Sequence, residues 1–511
     1  MNFHSAKEHY LDGDFKLKGE FKTSKGRDTA LSKAERYAAW TLPIIMPQDG
    51  DEDEEMQHDY QSVGAQAVTN LSNKIMMALF QPSRPFFKMD LSKEQRAEVS
   101  VDGSNDAAID EAMASAEREA IKQLDKRNGR VVITDSVKHL VVTGNTLLKI
   151  PKKVGGMMSN FSIRDYAILR DLNGEMVKCI VRETKEVNGL SDELAELAMM
   201  HGYGDRDDVS IYTGMQRVGD KYLVWQELED ICYCSDAAGY VEKNDLEYIP
   251  LTWNLSRGRN YGTGLVEEYS GDFHTLSNNA EAKLDYTSVI TDVKFLVNPT
   301  GMTDVRKIKN ARSGAYVQGR EEDISVLTAN IGQVGDYLDN EFQQVSRRIG
   351  IAFLMNSSVT RDAERVTAEE VRMQATELEN SLGGVYSRLA RELQLPLAAK
   401  LMEEVDPVFK QVEPVIITGL ESLSRSSELD RWRMFFNDLV PLSDLPPELA
   451  ERVDPEKVYN VLGAGHGVEP KKIMYSEKEV QANRAQAAQQ QAAAAGAEAG
   501  AVAEGQGQPN G

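Results

Sequence analysis

Hydrophobic positions in this chain recur first at helical spacing, then at strand spacing, then at helical spacing again. Val63, Ala67, Leu71, Ile75 and Leu79 step by four and predict a helix with one apolar stripe, closed by Pro82 and Pro85. Ile109, Met113, Ala116, Ala120 and Leu124 predict a second amphipathic helix. A third runs from about Ile133 to Val142, before Gly144-Asn145 turns the chain into a short strand, Thr146 to Ile150. Upstream, residues to about 48 mix charge with helical patterning, and Pro43 and Pro47 stop any helix there. The acidic run Asp49 to Glu55 reads as a solvated loop, without the ligand spacing of a calcium loop.

The middle alternates with period two. Phe161 to Leu169 and Glu175 to Glu183 flank D-L-N-G, a hairpin turn. Val209 to Val218 and Tyr222 to Leu228 flank Gly219-Asp220-Lys221, a second hairpin. Ile231 to Cys234 and Tyr248 to Trp253 add strands. Antiparallel strands between groups of helices predict an α+β fold rather than a doubly wound α/β fold.

From about Gly264 the helical period returns. Leu265, Tyr269, Phe273, Leu276, Ala280 and Leu284 form one stripe, and Val334, Leu338, Phe342, Val345, Ile349 and Phe353 form a matching one. These two helices bracket a compact segment, Asn298 to Asn330, with turn and strand character. Their other faces carry Asn278, Asn279, Glu281, Lys283, Asp285, Asp339, Glu341 and Gln344. Helices polar over so much of their surface predict packing against copies of themselves, hence a ring-forming stem.

The next helix is the longest. Thr367 and Glu370 make a capping box, and Val371, Leu378, Leu382, Val385, Leu389 and Leu393 follow at helical spacing. Unbroken from Thr367 to Leu395 it would be roughly 43 Å long at about 1.5 Å per residue. Gly383-Gly384 predicts a bend or close helix contact inside it, and Pro396 a kink or stop. Helical texture then continues to about Ser476, broken by Pro407, Pro414, Pro441 and Pro446-Pro447. The Ala-, Gln- and Gly-rich tail from Gln481 is expected to be disordered at its end.

Composition narrows the function. The 511 residues carry a net charge of −23, which argues against simple electrostatic wrapping on nucleic acid or an anionic membrane. It leaves open a negative tube through which DNA passes without sticking. Cys179, Cys232 and Cys234 make no disulfide framework. No signal peptide is indicated, and no apolar run suits a membrane span, so a soluble, cytosol-assembled protein is expected.

No phosphate-loop motif is present: G-R-N-Y-G-T-G at Gly258 to Gly264 lacks the lysine and reads as a plain turn. Cys232 and Cys234 read as core packing rather than metal ligands. His139, in an apolar helix, reads as a hydrogen-bonded core residue rather than a base. Glu267-Glu268 and Glu369-Glu370 are adjacent in helices, so their side chains diverge into solvent. No catalytic residue, metal site or cofactor is expected, and the chain reads as a non-enzyme.

Two basic features remain. Arg306, Lys307, Lys309, Arg312 and Arg320 lie in the small insert and are either ordinary surface charge, a docking surface or a phosphate contact. L-M-N-S-S-V-T-R-D-A-E-R follows Phe353 and offers Asn356, Ser357, Ser358, Thr360, Arg361 and Arg365. Such groups can touch phosphate oxygens without reading sequence.

A family resemblance orders these features. Y-A-A-W-T-L-P from Tyr37, the run from Tyr60 to Phe80, H-L-V-V-T-G-N-T-L-L from His139, V-N-P-T-G-M-T from Val297, G-R-E-E-D-I-S-V-L from Gly319, and the stretch from Arg365 to Leu397 occur in order. Together they resemble the portal (head-to-tail connector) proteins of short-tailed, autographivirus-type phages. The part beyond about Pro441 matches least.

The resemblance implies a dodecameric ring at one capsid vertex, the conduit for DNA packaging and ejection. It implies a wing over 1–263, a stem helix over 264–296, a clip over 297–330 and a second stem helix over 331–352. A channel loop over 353–366, a long kinked helix over 367–405, a crown over 406–476 and a tail over 477–511 complete it. Implied partners are double-stranded DNA without sequence preference, the terminase large subunit, a tail adaptor, and the major capsid and scaffolding proteins. No membrane is implied; the location is the virion, after assembly in the host cytoplasm. The clip cations become docking residues and the loop residues channel contacts. The acidic balance fits a mostly repulsive bore. The alternative is a DNA-processing enzyme, a nuclease or packaging ATPase, which needs a metal or nucleotide site that the sequence does not display.

Overall fold

The computed structural model describes residues 17–47, 58–80, 85–89, 106–152, 155–229, 231–233, 239–291, 294–327, 332–355 and 382–406. Shorter stretches at 409, 412, 414–416, 435–438, 457–458, 461–462 and 465 are also described. The chain divides into two compact units, Met1–Gly419 and Leu420–Gly511. In the second, the described residues are short helical pieces, with Phe435 and Phe436 ring to ring at 5.6 Å.

The first unit opens with α1 (Leu17–Thr23), α2 (Arg27–Trp40) and α3 (Val63–Leu79). Strand β1 (Phe87–Met89) is followed by α4 (Asp106–Lys126) and α5 (Gly129–Thr143). Helix α3 spans the residues that its four-step stripe predicts, and Ala67, Leu71 and Ile75 are fully buried. Helix α5 starts four residues before Ile133, because Asn128 takes a left-handed conformation and lets the chain turn straight out of α4. It ends at Gly144, at φ 76°, where a Cβ would sit 2.4 Å from the backbone of Gly264. Only glycine fits that contact.

Strands β2 (Asn145–Lys149), β3 (Ser159–Phe161), β4 (Tyr166–Arg170) and β5 (Met176–Glu186) follow. Helix α6 (Asp192–Met200) precedes β6 (Asp208–Val218), β7 (Lys221–Leu228), β8 (Ile231–Tyr233), β9 (Gly239–Glu242) and β10 (Tyr248–Thr252). Every strand pairing described is antiparallel, so the first unit mixes helices with antiparallel sheet as its pattern predicts. The order β4-β5-β6-β7-β8, with β9 beside β7, makes the large sheet; β10-β2-β3 makes a small one.

Both expected hairpins form, at Asp171–Gly174 and at Gly219-Asp220. The run Phe161 to Leu169 is not one strand, however. Ser162 and Asp165 close a turn, with Asp165 N–H donating to the Ser162 carbonyl (2.9 Å) and Ser162 Oγ to Asp165 Oδ2 (2.6 Å). That turn sends β3 and β4 to different sheets.

The main core gathers α2, α3, α4, α5 and both sheets around Leu140, Val181, Leu251 and Trp253. On the other face of the large sheet, Leu17 and Phe21 of α1 pack on Tyr212 and Trp225. Buried Glu227 holds α1 in place by accepting the Leu17 N–H at 2.7 Å, where a carboxylate also meets the helix N-terminus favourably.

Then come α7 (Leu265–Glu268), α8 (Ser270–Thr291), β11 (Lys294–Val297), α9 (Val305–Asn310), β12 (Ile324–Leu327) and α10 (Gly332–Ala352). The first long helix therefore stops at Thr291 rather than running to Leu296. Residues 294–297 pair instead with β12, Lys294 opposite Leu327 and Val297 opposite Ile324.

Residues 367–381 of the longest predicted helix lie outside the described residues. Its later part is α11 (Gly384–Leu389), a π-helical turn Ala390–Gln394, and α12 (Leu395–Val405). Gly383, at φ 47° and ψ −114°, breaks the helix where a bend is expected. Of the kink or stop expected at Pro396, the stop does not occur, since helix continues to Val405. In the π turn Leu395 N–H bonds back to the Ala390 carbonyl, five residues earlier, and this wider turn admits the proline ring. Beyond it, β13 (Pro414–Ile416) pairs with β1 where helical texture is expected, setting Phe87 opposite Ile416.

Candidate functional site

Helices α8 and α10 run antiparallel out of the body. At their base Phe273 and Leu276 meet Val345, Ile349 and Phe353, all fully buried, and the Phe273 and Phe353 rings stand edge to face at 5.6 Å. Further out, Tyr286 lies against Gly335, where a Cβ would approach its ring to 3.2 Å. Asp272–Arg348 (2.7 Å) and Lys283–Asp339 (2.5 Å) tie the pair together on exposed faces, where such bridges contribute little. The stripes hold at the base and fail at the tip: Leu284 is 53% exposed, and Tyr337 is exposed beside them. Between Ala280 and Val345 no described hydrophobic residue is buried.

The segment at the tip is organised by polar groups instead. Asp323 is buried and accepts from Thr303 Oγ1 (2.7 Å) and Thr303 N–H (3.2 Å). Thr303 Oγ1 accepts in turn from Arg320 N–H at 2.8 Å, and the Asp323 carbonyl accepts Asn298 N–H at 2.9 Å. Asp304 caps α9, accepting from Arg306 N–H and Lys307 N–H.

This places Arg306, Lys307 and Lys309 on one short helix, with Arg312 just beyond it and Arg320 bonded back beside its start. All five are exposed. Among the described residues only Lys307 has a carboxylate within reach, Asp304 at 4.0 Å. Around them Phe295, Leu296, Met302 and Tyr316 stand in solvent, Tyr316 fully.

At the base, α10 ends at carbonyls held by α3. Asn70 Nδ2 donates to the Phe353 and Leu354 carbonyls (3.1 and 3.2 Å), and buried Lys74 Nζ to the Leu354 carbonyl (2.6 Å). Leu354 sits at φ 55°, a costly conformation for a branched side chain. Asn356, Ser357, Ser358, Thr360, Arg361 and Arg365 lie outside the described residues.

Among the described residues no group of His, Cys, Asp and Glu could hold a metal ion, and no helix is long and apolar enough to cross a membrane. Gly262 and Gly264 form a turn locked on the end of α5, with Asn145 bonded to both the N–H and the carbonyl of Gly262. His139 is buried in α5, but contrary to expectation its Nδ1 has no hydrogen-bond partner among the described residues. Burial without a partner lowers its pKa to about 4. Glu267 is not freely solvated; it pairs with Lys33 at 2.6 Å and is half-buried. Cys179 is buried, its thiol pushed up to about 12 by desolvation, so it is inert. The Cys232 and Cys234 side chains, and Glu369-Glu370, lie outside the described residues.

Sequence reasoning missed Asp323, Thr303, Asn70 and Lys74. For the first two the only signal is spacing: N-P-T-G-M-T-D supplies turn residues and a cap, but nothing that marks a partner twenty positions on. For Lys74 the signal is a lysine on the edge of an apolar stripe.

An antiparallel α+β body thus bears a helix pair tipped by an insert with no buried hydrophobic residue among those described. The model for bacteriophage head to tail connecting proteins matches residues 16–474, and the chain belongs to that family. Relatives named portal proteins include that of Enterobacteria phage SP6, 34% identical over 92% of both chains. That of Escherichia phage T7 is 31% identical over 92% of this chain and 89% of its own, and that of Pseudomonas phage phiKMV 32% over 92% and 94%. Among solved structures, the neck of an empty gene transfer agent particle covers 73% of this chain and 86% of its own, with a TM-score of 0.37 and 11% identity, too remote to bear on the fold.

Proposed function

We propose that this portal-family chain closes into a ring of about twelve copies at one vertex of a phage capsid, and that DNA enters and leaves through its bore. The observation that carries the ring is the tip: from residue 281 to 344 the described chain forms two helices, a strand pair and a capped turn with no buried hydrophobic residue of its own. Isolated elements of this kind do not stabilise themselves, because ordering each residue costs about 1–2 kcal/mol. A closed ring gives every copy two neighbours against which Phe295, Leu296 and Tyr316 are covered.

On this reading residues 1–263 are the wing, α8 and α10 the stem, and the segment between them the clip. Residues 353–366 are the channel loop, 367–405 the helix behind it, and 406–476 the crown. Arg306, Lys307, Lys309, Arg312 and Arg320 face the packaging terminase and then the tail adaptor. Asn356, Ser357, Ser358, Thr360, Arg361 and Arg365 line the bore; a net charge of −23 per copy keeps it mostly repulsive, so DNA slides. Capsid and scaffolding proteins meet the outer surface, and the ring ends in the virion after cytoplasmic assembly.

Single-particle imaging of the purified chain tests this. Rings with a central hole and near twelve-fold symmetry are expected, and compact monomers that stay monomeric with scaffolding protein added would reject it. In assembled particles Arg361→Ala with Arg365→Ala should impair packaging or retention of DNA while rings persist.

A further inference from the structure

Helix α3 touches the chain on both sides of residues 356–381. At one side Asn70 and Lys74 hold the Phe353 and Leu354 carbonyls at the end of α10, within 2.6–3.2 Å. At the other, residues from α11 and the π turn hold the end of α3 itself. Tyr386 Oη donates to the Ala78 carbonyl (3.4 Å) and fully buried Gln394 Nε2 to the Leu79 carbonyl (2.6 Å).

The π turn is what permits the second grip. In an unbroken α-helix, at about 100° per residue, Gln394 would stand about 80° round from Tyr386. A π turn carries more residues per turn and so advances less at each one, which brings Gln394 back to the Tyr386 side. Both side chains then reach the last turn of α3, where helix carbonyls have no partners of their own. The first grip follows the same logic with a charge added: an ammonium group at the end of α10 meets the negative end of its dipole. The left-handed Leu354 turns its carbonyl to Lys74.

We infer that α3 is a brace that fixes both roots of segment 356–381, with Asn70, Lys74, Tyr386 and Gln394 as positioning residues. The purpose of the brace rests on the ring reading above: every copy in a ring must present that segment at the same place around the bore. The brace itself is a property of one chain.

Hydrogen exchange on the full chain, with wild type, Lys74→Met, Gln394→Leu and the milder Asn70→Ala, tests the brace. Val209→Ala, a core change in the separate cluster that β6 makes with α6, is the control. Lys74→Met should raise exchange in peptides covering 350–355 by about 10- to 100-fold, the effect of losing a buried charged donor. Asn70→Ala should do so by about tenfold, and Gln394→Leu should act on 382–389. The control should leave both regions at the wild-type rate. In assembled particles Lys74→Met should lower retention of packaged DNA at unchanged ring yield, and Lys74→Arg should restore it in part.

Wild-type exchange at both roots in all three variants overturns the brace. So does a rise equal to the control's, which would mark general loss of stability; unchanged DNA retention beside raised exchange would overturn the purpose assigned to the brace. Ring formation by the unaltered chain is scored separately; its failure would strike the ring reading and leave the exchange result standing.

Discussion

The body around α5 and the insert at 294–327 belong to one chain yet are held by different forces. In the body, Leu71, Leu140, Leu251 and Leu397 are fully buried and helices from distant parts of the sequence share one core. In the insert the described side chains that are buried are Thr303 and Asp323, while Phe295, Leu296, Met302 and Tyr316 face solvent. An insert this small cannot enclose a core. It spends a buried carboxylate on shaping its own backbone and leaves its apolar side chains in solvent.

The comparison predicts opposite responses to truncation. Leu71→Ala should destabilise the unassembled chain by about 2–5 kcal/mol, the range for a buried leucine. Tyr316→Ala should shift the same denaturation curve by less than about 0.5 kcal/mol and instead reduce ring yield. Equal destabilisation by the two would end the distinction.

The body should also respond to acid. His139 is neutral when folded, with a pKa of about 4 against an ordinary 6.5. Between those values the unfolded chain binds a proton that the folded chain refuses, so stability falls as pH is lowered from 6.5 to 4 and this contribution is constant outside the window. The loss is about 3.5 kcal/mol for a shift from 6.5 to about 4, at about 1.4 kcal/mol per pKa unit. Denaturant melts across this range should show it, and His139→Leu should remove that part of the slope.

In the insert, Asp323→Ala strands Thr303 N–H and frees Arg320 N–H from its ordered partner. A local cost of about 1–3 kcal/mol is expected, read as faster hydrogen exchange at 298–303 without a shift in the melting of the body. The smallest effect on stability, under about 0.5 kcal/mol, is expected for Arg306→Glu with Lys307→Glu, since exposed charges lie outside any core. Pull-down with terminase or adaptor should nevertheless weaken while rings persist; unaltered docking would assign these cations to ordinary surface charge.

What was legible before the structure follows from the reach of each signal. The four-step stripe of α3 and the turn residues of both hairpins act over a few residues, so periodicity and turn chemistry find them. Longer reach is needed elsewhere. Residues 294–297, given to the stem helix by the family resemblance, pair with β12 instead, and Pro396, read as a kink or stop, does not stop the helix because a π turn widens it first. His139 reads as hydrogen-bonded because buried polar groups nearly always are, and only packing shows that its Nδ1 finds no partner among the described residues.

By itself, then, the sequence determined the order of helical and extended segments, the acidic balance and, through ordered motifs, the family. Tertiary structure decided which stripes are buried and which stand in solvent, as at Leu284, and which donors reach which helix ends, as Lys74 does across 280 residues. The physical reason is that hydrophobic periodicity reports a face, not what covers it. A hydrogen bond between residues hundreds of positions apart exists only once the packing of everything between them has brought the two groups within about 3 Å.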